Sequence, residues 1–161
     1  MPRMNSFTLL ALLLMSSACS TLSPNSRLTK LDLELGASDR LNPDLNGRPS
    51  PIVLRLLELK SPVAFENADF FSLYERAKET LAPDLVASEE LELRPGEKRE
   101  LKLTTKDGSR YVGVLAAYRD LPESQWRYVV KLTPAQLTQA RLRLEQDGIH
   151  NLDAQANKTS D

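Results

Sequence analysis

The chain has 161 residues, 41% of them hydrophobic, which is enough for one domain with a real core and short for two. Lys plus Arg number 21 and Asp plus Glu 22, so the formal net charge of -1 supplies no general attraction to nucleic acid, and no nucleic-acid partner is expected. One Cys and one His exclude a disulfide framework, a cysteine-rich zinc site and a His-clustered metal centre, so no cofactor is expected.

Arg3 and the initiator amine are followed by Phe7 to Met15 (FTLLALLLM), a run of largely apolar residues. A helix that crosses a bilayer needs about 20 residues, so this run is too short to span and fits the hydrophobic part of a secretory signal peptide. Ser16, Ser17 and Ala18 are small, as a signal peptidase cleft requires, and Cys19 follows at once as the chain's single thiol. The segment resembles the bacterial lipobox, with Cys19 as the first mature residue and the site of acylation; Ser16 stands where that motif usually has Leu. Ser20, rather than Asp, after the cysteine is similar to the outer-membrane sorting signal of bacterial lipoproteins. Two or more acyl chains anchor firmly, since each buried methylene contributes about 0.8 kcal/mol. The chain therefore divides into a leader at 1–18, a lipidated tether at 19–27, a folded domain at 28–152 and a polar tail at 153–161.

From Leu28 onward the pattern has period two. Leu31, Leu33 and Leu35 alternate with Lys30, Asp32 and Glu34, which predicts a half-buried strand. Pro51 to Leu59 (PIVLRLLEL) is apolar at both parities, the mark of a central strand covered on both faces. Phe70, Tyr74, Ala77 and Leu81 fall at helical spacing, so one helix is expected within Asn67 to Leu81, started by Asn67 or Asp69 and stopped before Pro83. Leu91 and Leu93, then Leu101 and Leu103, alternate with charged residues on either side of Pro95-Gly96, a tight-turn pair. Asp107-Gly108 is a strong hairpin signal, with Arg110 to Arg119 as the returning strand. Tyr111 to Tyr118 is again apolar at both parities, and Val112, Gly113, Ala116 and Ala117 are small enough for another layer to pack closely on it. Strands around Trp126 to Leu132 and Leu142 to Leu144 follow, and Asp147-Gly148 turns the chain toward a short last strand at Ile149. The expectation is a mainly β chain, a two-sheet β-sandwich of seven or eight strands with a small helical insertion.

Asp39 to Pro51 (DRLNPDLNGRPSP) carries three prolines and one glycine, so it is a long connection rather than a tight turn. Leu41 and Leu45 offer it apolar contact material, and such loops between rigid strands often carry binding surfaces. Chemistry is otherwise sparse. His150 has no second ligand or triad partner, Ser109 and Ser124 lie in turns without a local base, and Asp107 and Asp120 suit turn and strand-end geometry. Gly47, Gly96, Gly108 and Gly113 are isolated, so there is no phosphate-binding loop. Tyr111, Tyr118, Trp126 and Tyr128 fit cross-strand packing, with Arg119 and Arg127 on a solvated edge or face. No enzyme activity and no small-molecule substrate are expected.

The ordered set of a lipobox ending at Cys19, Asn46-Gly47, Ser50 to Leu56 (SPIVLRL), Ala68 to Leu73 (ADFFSL), Pro95-Gly96 and Tyr111 to Asp120 (YVGVLAAYRD) before Trp126-Arg127 resembles the TssJ family, outer-membrane lipoproteins of the bacterial type VI secretion system. The resemblance implies a transthyretin-like sandwich with a helical addition, held by lipid in the inner leaflet of the outer membrane and facing the periplasm. It further implies binding to the periplasmic C-terminal domain of the inner-membrane TssM protein and assembly with TssL into the membrane complex. The family's TssM contact is the loop between the first two strands, which falls here on Asn42, Pro43, Asp44, Leu45, Asn46, Gly47, Arg48, Pro49 and Ser50. Two other classes stay open on the residues alone. A lipoprotein chaperone or pilotin would take an exported peptide along a free strand edge, and a small hydrolase or carbohydrate-binding module would need converging carboxylates or an aromatic platform.

Overall fold

The computed structural model describes residues 28–154; the leader, Cys19, the tether to residue 27 and the tail from residue 155 lie outside the described residues. Alternation over Lys30–Ala37 makes β1, with Leu31, Leu33 and Leu35 buried and Lys30 and Glu34 exposed. Seven strands follow: β2 (Ile52–Leu59), β3 (Leu85–Leu93), β4 (Lys98–Thr104), β5 (Tyr111–Ala116), β6 (Arg127–Lys131), β7 (Leu137–Glu145) and β8 (Gly148–Asn151). They form two four-stranded sheets, ordered β4-β1-β7-β8 and β3-β2-β5-β6, stacked as a transthyretin-like sandwich. β1 and β7 run parallel, with Leu35 beside Leu142, and the other neighbours are antiparallel. The short last strand is present, with Ile149 of β8 opposite Leu144.

β2 and β5 are the two central strands of their sheet, as their apolar residues at both parities require. Ile52, Leu54, Leu56, Val112, Val114 and Ala116 face the other sheet and meet Leu31, Leu33, Leu35, Leu142 and Leu144 in the main core. Leu57, Leu59 and Leu115 face the opposite way, into a second core under the helices. The single helix expected over Asn67–Leu81 is replaced by three short ones: α1 (Val63–Asn67), α2 (Phe70–Glu75) and α3 (Ala77–Leu81). The breaks have named causes. Arg127 Nη1 donates to the carbonyls of Phe65, at 2.9 Å, and Ala68, at 2.7 Å, which a continuous helix would offer to its own amides. Asp69 then starts α2 by accepting from the Ser72 N–H at 3.0 Å. Arg76 leaves helical dihedrals (φ −132, ψ 41) between α2 and α3.

Arg127 is therefore not a solvated sheet residue; it pins the helical layer while its guanidinium lies 4.4 Å from the Trp126 ring centroid. Arg55 of β2 does the same for α2, stacked 4.3 Å over Tyr74, donating to the Tyr74 carbonyl and pairing with Glu90 of β3 at 2.8 Å.

Both tight turns form, but neither closes a hairpin. Pro95-Gly96 carries the chain from β3 in one sheet to β4 in the other, and Asp107-Gly108 carries it back to β5. A strand with one apolar face can bury it by lying beside its neighbour or by facing it across the sandwich. The alternation of Leu91, Leu93, Leu101 and Leu103 suits both, and here they face each other. Ser109, in the second turn, is buried and donates to Glu58 Oε2 at 2.7 Å, the same oxygen that accepts the Lys106 N–H at 2.7 Å, so the turn is fastened to β2.

The cover over β5 is closest at Gly113, where a Cβ would stand 3.0 Å from the Phe65 ring of α1. Phe65 is fully buried and has little room to withdraw. Gly113→Leu is expected to lower stability by about 1–3 kcal/mol through overpacking, read as the denaturant midpoint of the soluble domain. Gly113→Ala combined with Phe65→Leu should lose less than the sum of the two single changes, whereas strict additivity would mean that ring and strand are not in contact.

Candidate functional site

The strand directions put four connections at one end of the sandwich. These are the β1–β2 loop, the β3–β4 turn, the β5–β6 connection and the β7–β8 turn. The β1–β2 loop dominates this end, and its geometry follows from where its two strands lie: β1 and β2 belong to opposite sheets, so the loop must cross the top of the core. Leu41 drops into that core and is fully buried. It is a plug, and the contact material expected of Leu41 and Leu45 together comes from Leu45 alone.

Asn42 is next, buried and at φ 46, a left-handed conformation that Asn tolerates better than most residues. Its Nδ2 donates to the Pro51 carbonyl at 3.0 Å and its Oδ1 accepts from the Arg119 N–H at 2.9 Å. One side chain thus joins the two ends of the loop to the β5–β6 connection. The Ser50 N–H donates to the Leu41 carbonyl at 3.0 Å and completes the neck.

Beyond the neck the chain makes a small closed hairpin. Asp44 N–H donates to the Arg48 carbonyl at 2.9 Å, and Gly47 N–H donates to the Asp44 carbonyl at 2.8 Å, with Gly47 at φ 75 where a side chain would be strained. Asp44 Oδ1 accepts from the backbone N–H of Asn46 at 2.8 Å and of Arg48 at 3.0 Å, while Oδ2 takes the Arg48 guanidinium through Nε at 2.9 Å and Nη2 at 2.8 Å. The Arg48 amide, aided by that of Asn46 and by the Arg48 side chain, holds the Asp44 carboxyl below its ordinary range. At neutral pH the carboxylate is ionised and the lock is closed.

This scaffold leaves Leu45 at the tip with a relative exposure of 107%, a wholly solvated large aliphatic side chain. Asn46, Gly47, Arg48 and Pro49 are exposed beside it, and Pro43, Asp44 and Ser50 are half-buried at the base. Tyr118, Arg119, Asp120 and Gln146 form a shallow groove against Asn42–Leu45. Tyr118 is held there by donating to the Glu145 carbonyl at 3.0 Å, and burial, with Asp147 and Glu145 nearby, pushes its hydroxyl pKa up. The groove wall escapes sequence reading because strand order alone brings the β5–β6 connection and Gln146 next to Leu45. A run such as Tyr118-Arg119-Asp120 just past a buried strand is the one local sign.

Elsewhere the titratable groups fasten turns. His150 Nε2 lies 2.9 Å from Asp147 Oδ1, a contact that keeps the Asp147 pKa low. Among the described residues, no group of three or more His, Cys, Asp or Glu side chains is placed to hold a metal ion. A charged trough on the uncovered face of the β4-β1-β7-β8 sheet, between Asp32, Glu34, Lys102 and Arg141, is remote from the loop.

The chain is similar to known proteins over most of its described length. A family model described as "Type VI secretion lipoprotein, VasD, EvfM, TssJ" matches residues 29–147. The crystal structure of the type VI lipoprotein TssJ1 from Pseudomonas aeruginosa is 38% identical with a TM-score of 0.75, over 78% of this chain and 95% of that one. Lip from Serratia marcescens, a membrane-bound component of the type VI secretion system, is 28% identical with a TM-score of 0.71, over 77% and 97%. A chain of a type VI membrane complex is 26% identical with a TM-score of 0.68, over 78% and 98%. Comparison with curated proteins returns no match.

Asp44→Ala removes the carboxylate that accepts from Asn46 and Arg48 while leaving the backbone bonds of the tip, Leu41 and Asn42 in place. It should speed amide exchange at Asn46 and Arg48 without moving the denaturation midpoint of the sandwich, since the lock is an exposed one. In the wild type the lock should persist as pH falls to the ordinary carboxylate range and open only below it, because the depressed native pKa delays protonation. Opening at the usual aspartate pKa would contradict the hydrogen-bond assignment.

Proposed function

Because this chain belongs to the type VI secretion lipoprotein family that includes TssJ, we propose that its loop Asn42–Ser50 docks on the periplasmic C-terminal domain of the inner-membrane TssM protein. The protein is a structural, non-catalytic lipoprotein of the type VI membrane complex, held at the outer membrane with its domain facing the periplasm. In the proposed arrangement residues 1–18 are removed, Cys19 carries the lipid, and residues 19–27 connect it to β1. TssL joins the assembly through TssM.

The observation that carries the docking proposal is Leu45, fully solvated on a loop whose neck and tip are both closed by hydrogen bonds. An exposed leucine is commonplace, but one lifted on a braced loop differs from one lying on a flat face. Its burial by a partner is favourable at about 25 cal/mol per Å² of apolar surface, and little ordering of the loop is needed because Pro43, Pro49 and the Asp44 contacts already restrict it. Arg48 keeps an exposed guanidinium beside it, able to donate to a carboxylate or carbonyl across the interface. The tether reaches the sandwich at the opposite end, where β1 begins. β1 then carries the loop roughly 25 Å further away at about 3.3 Å per residue, so the docking tip points away from the anchored end, toward a partner that approaches from the inner membrane.

Titration of the protein against the purified TssM periplasmic domain tests this. Leu45→Asp should weaken binding at least tenfold, about 1.4 kcal/mol, with unchanged circular dichroism and midpoint. Retained affinity after replacement of residues 43–49 by a short glycine linker would move the interface elsewhere. Cys19→Ser separately should leave the domain folded and abolish acylation, read as intact mass; an acyl group found at another residue would sink the anchoring assignment.

A further inference from the structure

The exposed charges and apolar side chains of the described residues are not spread evenly between the two ends of the sandwich. At the loop end Arg48 pairs with Asp44, Arg94 with Glu92 and Arg99 with Glu97; Arg40, Lys98 and Arg119 are exposed there without an ion pair among the described residues, and Asp39, Asp120, Glu123 and Asp147 add negative charge. The other end is built from the start of β1, the residues after β2, the β4–β5 turn and the β6–β7 connection, and it carries exposed Lys30, Lys60, Lys106, Arg110 and Lys131. Their backbones are brought together by the Lys30 N–H bond to Gln136, by Arg110 N–H donating to Leu59, and by Lys131 standing opposite Tyr111. Lys60 also runs beside Gly108. Among the described residues none of these five cations makes an ion pair, and Glu58, Asp84 and Asp107 offset them locally in part.

The same end holds three of the five exposed large hydrophobic side chains, Leu28 at 50%, Val63 at 61% and Leu137 at 51%. Lys30 and Leu137 are register partners, and Leu28 lies two residues before that pair, where the chain enters β1 from residue 27. Unpaired cations ringing a few aliphatic side chains, at the point where an acylated tether arrives, match the chemistry of a bilayer surface: anionic headgroups for the lysines and the headgroup–acyl boundary for the leucines. Clusters of about four to eight basic residues are what such surfaces attract.

We propose that the tether end of the sandwich is a membrane-contact face, seated on an anionic phospholipid surface, so that the domain stands upright on the bilayer with Leu45 distal. The tether then serves to deliver the face to the membrane, and the face sets the orientation. This inference rests on the lipid-anchored reading of Cys19 but adds a contact that lipidation does not require.

The test uses the mature lipidated protein reconstituted into vesicles of phosphatidylcholine alone or of phosphatidylcholine mixed with phosphatidylglycerol. Amide exchange around Asp107–Gly108 and Ala135–Leu137 should be severalfold slower in the anionic vesicles, and high salt should erase the difference. Exchange within β1 and β7 should be the same in both and serves as the folding control. Combined Lys60→Glu, Lys106→Glu and Lys131→Glu, all on exposed side chains, should abolish the difference while the protein stays membrane-bound through its lipid. Equal exchange in the two vesicles, with the protein incorporated in both, would overturn the contact face alone. Failure to incorporate into either would overturn the lipid anchor and this inference with it.

Discussion

The two apolar faces of the β3-β2-β5-β6 sheet are the constraint on which the rest of the molecule depends. A sheet that is greasy on one side needs a partner sheet; one greasy on both sides also needs a second cover. Leu57, Leu59 and Leu115 would otherwise face water, and the chain meets the demand with the helices between β2 and β3. The fit is close enough that Phe65 occupies the space that a side chain at position 113 would need. Arg55 and Arg127, rooted on that same outer face, bind carbonyls of the helical segment, so the layer is fixed by directional bonds as well as by packing.

Placing β1 and β2 in different sheets has a consequence for function. Their connection must bridge the open top of the sandwich, and a bridge over a hydrophobic core needs both a plug and a clamp. Leu41 is the plug and Asn42 the clamp. Once those two have closed the core, the residues from Pro43 to Pro49 carry little of the burden of stability. Asp44 shapes them locally, through short-range hydrogen bonds that make no call on the core. Core closure thus falls to Leu41 and Asn42 while the next residues are held by local bonds alone, so leucine is buried at 41 and solvated at 45.

Polarity along the strands organises the surface as well. At the end that carries the Asn42–Ser50 loop three arginines pair with carboxylates and further acidic side chains lie beside them, whereas the end where β1 begins carries five exposed cations without ion-pair partners among the described residues. A net charge of -1 conceals this separation. The sandwich between the two ends is a rigid spacer, because its strands are paired along most of their lengths and its two cores are continuous on either side of β2 and β5.

Much of this was legible in the residue order, because strand formation and turn formation are local. Alternation located β1 and β7, double-sided apolarity marked β2 and β5 as central, Asp69 marked the start of α2 and Pro83 the end of the helical region, whose first helix at Val63–Asn67 lies outside the expected span. The motif order also identified the family, and with it the loop that carries the candidate site. Pairing was not local: Pro95-Gly96 and Asp107-Gly108 turn the chain as their chemistry dictates, yet whether the next strand lies beside or across is decided by which apolar faces can be buried together. The helical segment is interrupted after α1 because Arg127, from a strand about sixty residues on, takes carbonyls that helical spacing cannot know are claimed, and again at Arg76, where the backbone leaves helical dihedrals. In the loop, residue types set the Asp44 and Gly47 turn, but only the tertiary structure decided that Leu41 is core and Leu45 is surface. Two leucines four residues apart carry the same hydrophobicity, and burial depends on where the two sheets bring the neck of the loop to rest.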